Sequence, residues 1–156
     1  MNRIFIMAYK QILVAVDLTE EADEVLATAH SVADQQDARL RSVTVVKPLT
    51  QAYGGLDMAP MASDAVSFEE EALRQARDQL LELSAEYGIG ADDALVRLGS
   101  PAHEIRALAA ESEADLIVIG THGKHGLGLL LGSTANAVLH GVPCDVLAVK
   151  IHPLTG

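Results

Sequence analysis

Residues 120–132 (GTHGKHGLGLLLG) contain five glycines, and Ser133 and Thr134 follow at once. Glycine lets backbone N–H groups come close to an anion because no Cβ holds the ligand away. A helix starting at Ser133 adds its positive end and a hydroxyl donor. The chemistry this favours is the capture of a phosphate; the plain alternative is a tightly bent connection between a strand and a helix. Two common nucleotide fingerprints are absent. A P-loop needs a lysine before its Ser or Thr, and Gly132-Ser133 has none. A dinucleotide motif places its glycines after the first strand, where this chain has Leu18-Thr19-Glu20-Glu21.

Asp17 closes the first apolar run, where a carboxylate either accepts hydrogen bonds from a ribose or base or caps the next helix. His122, Lys124 and His125 stand inside the glycine-rich turn and offer positive charge to an anion. His122-x-x-His125 has no third ligand or nearby cysteine, so no metal site is expected. Ser133 with His122 or His125 is a conceivable nucleophile pair, but it lies in Gly-Ser-Thr and not in a Gly-x-Ser-x-Gly elbow. No catalytic residue is therefore assigned, and any turnover is expected to be slow and incidental. Cys144, the single cysteine, sits in an apolar stretch and reads as a buried, inert thiol in a reducing compartment. His30, His103, His140 and His152 read as surface or packing residues.

Strands and helices must alternate to position these groups. Residues 11–17 (QILVAVD), 39–46 (RLRSVTVV), 95–98, 115–120 (DLIVIG) and 145–150 (DVLAVK) are candidate strands, and their continuous apolar runs suit a parallel sheet covered on both faces. Ala22, Val25, Leu26, Ala29, Val32 and Ala33 form one helical stripe, and Leu73, Ala76, Leu80 and Leu83 form another. Ser67-x-x-Glu70 reads as a capping box, with Glu69, Glu70 and Glu71 complementing the dipole at a helix start. Ser100-Pro101 and Gly132-Ser133 mark two further starts, and Gly88 and Gly141 mark two stops. Residues 47–66, with two prolines and a Gly-Gly pair, read as one long loop.

The 156 residues, 49 % apolar, suffice for one such core. The division expected is an N-terminal lead over 1–8, one domain over 9–152 and a tail over 153–156. A net charge of −11, scattered Lys and Arg and no Trp argue against nucleic acid. No apolar run approaches membrane-spanning length and no signal-peptide pattern is seen, so a cytoplasmic protein is expected. The last strand, apolar and unpaired at a sheet edge, favours a homodimer built through it.

In order and spacing, ILVAVD, Gly99-Ser100-Pro101, DLIVIG, GTHGKHGLGLLLGSTANAVLHG and PCDVLAVK resemble the universal stress proteins, in particular the A type, over residues 9–150. The resemblance implies a single-domain open parallel five-stranded sheet with helices on both faces, of the adenine-nucleotide alpha-hydrolase-like, Rossmann-like class. It also implies homodimers and a role in stress survival. In the ATP-binding branch of the family, Asp17 and the backbone of Val45 would hold base and ribose, and Ile119 would line the wall. Gly120, Gly123, Gly132, Ser133 and Thr134 would cradle the phosphates. That branch carries Gly-x2-Gly-x9-Gly-Ser/Thr, whereas here only Lys124 to Leu131, eight residues, separate Gly123 from Gly132. One residue fewer displaces backbone donors by up to about 3.5 Å, beyond hydrogen-bond tolerance. Two readings follow: a stress-response module holding ATP or another adenylate, or a protein-interaction module without nucleotide that acts through the dimer and the 47–66 loop.

Overall fold

The computed structural model describes residues 8–49, 62–121 and 132–152. Within them β1 (Gln11–Ala15), β2 (Arg39–Val46), β3 (Ala94–Leu98), β4 (Leu116–Gly120) and β5 (Asp145–Val149) form one parallel sheet in the order β3-β2-β1-β4-β5. Helices α1 (Ala22–Gln36), α2 (Ala62–Ala85), α3 (Pro101–Glu111) and α4 (Ser133–Leu139) alternate with the strands, and a short 3₁₀ turn, Ala91–Asp93, leads into β3. The open five-stranded α/β sheet expected from the strand runs is the fold of the chain.

The strands are apolar at nearly every position because both faces are covered. Ile12 and Val14 of β1, with Leu116 and Val118 of β4, pack against Val25, Leu26 and Ala29 of α1 and Leu80 of α2. Leu13, Ala15, Ile117 and Ile119 point the other way, onto Ile105 and Leu108 of α3 and Ala135 and Val138 of α4. Leu26 and Leu80 are fully buried, and each such side chain contributes about 2 kcal/mol. One polar contact crosses this interior. The Ser42 and Ser84 hydroxyls, both fully buried, join β2 to α2 at 2.7 Å.

Three helices stop in the same way. The N–H groups of Ala38, Ile89 and Ala114 donate to the carbonyls of Ala33, Ser84 and Ala109, each five residues back. The residue before each donor is left-handed, at φ 52° for Asp37, 72° for Gly88 and 53° for Glu113. This is the Schellman geometry, built with glycine in one case only.

The helix over the second stripe begins earlier than its local signals suggest. α2 starts at Ala62, so Ser67 and Glu70 lie inside it and form no N-terminal capping box, and the connection read over 47–66 ends before Ala62. No Pro or Gly stands between Ala62 and Ala85 to break a helix, so the helix runs unbroken from Ala62. Glu69 to Glu71 therefore stand in the helix body, where Glu71 pairs with Arg74 at 2.6 Å and Glu69 accepts the Leu49 N–H at 3.4 Å. Ser100 is the N-cap residue of α3 with Pro101 next, but its side chain makes no capping hydrogen bond. No helix among the described residues is long and apolar enough to cross a membrane.

Candidate functional site

β2 and β3 lie to one side of β1, and β4 and β5 to the other. The chain thus reverses direction across the sheet between β1 and β4, which leaves a crevice beyond their carboxyl ends. Three backbone bonds carry the ladder past the strand ends there: Val16 N–H to Val43 O, Gly99 N–H to Val46 O and Thr121 N–H to Val149 O, each 2.9 Å.

A cavity of about 730 Å³ opens at this point. Asp17, Val45, Ile119, Gly120, Gly132, Ser133 and Thr134 all line it. Gly123 lies outside the described residues, as do His122, Lys124 and His125. Its size and its mixture of apolar wall and few polar groups are those of a small-molecule site.

Each polar residue is placed by its element. Asp17 follows β1 and is exposed, and its Oδ1 accepts the Thr19 hydroxyl at 2.9 Å. Thr19 Oγ1 in turn accepts the Glu21 N–H at 3.4 Å, so threonine links the carboxylate to the turn entering α1. Asp17 is not the cap of that helix, since Glu21 holds the N-cap position. Ser133 and Thr134 open α4, where first-turn N–H groups lack intrahelical acceptors. The Gly132 N–H is directed elsewhere and donates to Thr121 O at 2.5 Å, which ties the start of α4 to the end of β4.

Several lining residues escape a motif-based reading. Lys47, two positions past Val45, brings a cation to a protein of strongly negative net charge. Thr19 brings the hydroxyl that orients Asp17. Val25 of α1 and Ile151, just beyond β5, close one wall. The chain past β5 is fastened to α1: the His152 N–H donates to Glu24 Oε2 at 3.1 Å, and His152 Nδ1 lies 2.6 Å from Glu24 Oε1. The bond from His152 holds the Glu24 carboxyl below the usual carboxylate range. No local sequence pattern tied these residues to the cavity.

Cys144 is half-buried against the Leu13–Ile117 side of the sheet, with its thiol pushed up by burial and then by Asp145 and Asp115. Among the described residues no cluster of His, Cys, Asp and Glu is arranged for a metal.

Fold and site together define a small doubly wound α/β protein with a ligand-sized crevice at the switch point of its sheet. Residues 8–150 match the model of the Universal stress protein family, and the chain belongs to that family. It is 41 % identical over 143 residues to universal stress protein A homolog 1 of Coxiella burnetii, covering 92 % of this chain and 97 % of that protein. In solved structures it is similar in fold to the hypothetical protein MJ0577, with TM-score 0.76 and 22 % identity over 94 % of this chain and 99 % of that one. A universal stress protein solved in complex with cAMP is 29 % identical at TM-score 0.56, covering 92 % of this chain and 98 % of that one.

Proposed function

We propose that this universal stress protein is a non-catalytic adenylate-binding module that works as a homodimer paired through β5 in the cytoplasm. The observation that carries this reading is the convergence of Asp17, Val45, Ile119, Gly120, Gly132, Ser133 and Thr134 on one cavity of about 730 Å³. Val45 and Ile119 supply apolar wall for a base, Asp17 an acceptor for ribose hydroxyls, and the Ser133–Thr134 turn donors for phosphate. Binding of cAMP by a relative supports an adenylate as the ligand class. The sheet-edge position of β5 supports its role in pairing.

A second reading, a protein-interaction module without nucleotide, is favoured by one feature. The Gly132 N–H is spent on Thr121, and the loop before it is one residue short of the ATP-binding signature. The test is to denature protein purified without added nucleotide and to identify released adenylate by chromatography and mass spectrometry. Stoichiometric adenylate, falling sharply in Gly132→Val or Asp17→Ala variants that stay folded, is the expected result. Gly132 sits at φ −58°, which valine adopts. No released adenylate, together with no thermal shift at about millimolar ATP, would establish the second reading.

A further inference from the structure

We infer that Ile151 is a positioning residue of the cavity, that Gly120 is glycine to make room for it, and that the Glu24 clasp on His152 holds it in place. The inference rests on the adenylate-binding reading for its ligand, though not for its packing.

Gly120 ends β4 on the face turned toward α1. A Cβ built there would stand 2.6 Å from Ile151 Cδ1 and 3.2 Å from Val25 Cγ2. Its backbone is not left-handed, so conformation alone does not require glycine at this position. The space that a side chain would take is filled by Ile151, which is 3 % exposed and belongs to the core cluster of Val25, Val118 and Val149. Val25, Gly120 and Ile151 all line the cavity, so this contact is also its wall.

The polypeptide reaches that wall from an edge strand, where little else restrains it. Val149 O accepts the Thr121 N–H, and three residues later the His152 N–H and ring engage both oxygens of Glu24 on α1. Ile151 is thus gripped on either side, by β4 through Val149 and by α1 through His152. A methyl group on Gly120 must push Ile151 outward or into the cavity. Shortening Ile151 to valine removes Cδ1, the atom in closest conflict.

The test is a double-mutant cycle with Gly120→Ala, Ile151→Val and the pair, read by thermal melting without nucleotide and by ATP titration. Gly120→Ala is expected to lower the melting temperature by roughly 5 °C and weaken ATP by about tenfold. The pair should recover most of the melting loss and bind ATP more tightly than Gly120→Ala alone. Glu24→Ala, which keeps the packing atoms, should weaken ATP by about threefold and leave Gly120→Ala no more harmful than before.

If Gly120→Ala matches the unaltered protein in both measurements, or if the pair is no better than Gly120→Ala, Ile151 does not set the wall and the inference fails. If the unaltered protein binds no adenylate, the reading of the ligand fails. In that case recovery of melting temperature in the pair still supports the Gly120–Ile151 contact, and its absence overturns it.

Discussion

Asp17 holds the acceptor expected to read a ribose, and its orientation depends on Thr19. Asp17→Ala should cost about tenfold in adenylate affinity, the loss of a hydrogen bond to a charged group, with little change in melting because the side chain is exposed. Thr19→Val should cost less, and calorimetric titration separates the two. Asp93 shows a different single-residue effect. Burial pushes its carboxyl up, but Arg39, at 2.7 and 3.2 Å, and Arg41, at 3.1 Å, outweigh it and hold the group below the usual range. A lowered carboxylate stabilises fully above its unfolded value and loses that stabilisation as pH falls through the folded value. Asp93→Asn should therefore cost about 1 kcal/mol near neutral pH, and in urea melts the difference should shrink as pH falls below the ordinary carboxylate value and vanish once Asp93 itself is protonated. Asp17 and Gly132 to Thr134 stood out in sequence because strand ends and glycine spacing are local patterns, whereas Ile119 came only from the family resemblance. Ile151 and Val25 were not legible there, since their meeting depends on packing between residues more than a hundred positions apart.

Among the elements, the three Schellman stops invite a direct comparison. Gly88 is already suited to its left-handed position, whereas Asp37 and Glu113 strain against theirs. Glu113→Gly should stabilise the protein by about 1 kcal/mol and Asp37→Gly by somewhat less, because Asp tolerates the left-handed region better; urea midpoints measure both. The Ser42–Ser84 pair joins β2 to α2. Either serine changed to alanine leaves a buried hydroxyl without its partner and should cost about 1 to 2 kcal/mol. The double alanine variant should lie close to the unaltered protein, which a melting cycle would reveal. The five strands and the helix faces were legible because apolar patterning runs through whole segments, whereas the spatial order of the strands was not, since no local pattern records which strands pair. The start of α2 was misread because Ser67-x-x-Glu70 has the composition of a cap, and composition does not show that the preceding residues are already helical.

For the whole molecule, the arrangement β3-β2-β1-β4-β5 leaves β5 at an edge, with Ala148 exposed. If two chains pair there, light scattering should give twice the 16.5 kDa chain mass. Ala148→Glu, which places like charges across a two-fold axis, should give the single-chain mass with the fold retained by circular dichroism.

The bond from the Gly132 N–H to Thr121 O separates the scaffold from the length of the turn. Thr121 and Gly132 meet at one backbone bond, so the number of residues between them in sequence can change by one without displacing β4 or α4. The closure entropy of a connection of that length changes by only about a tenth of a kcal/mol. A one-residue change in the length of this turn is therefore felt by whatever the turn meets and not by the scaffold that carries it.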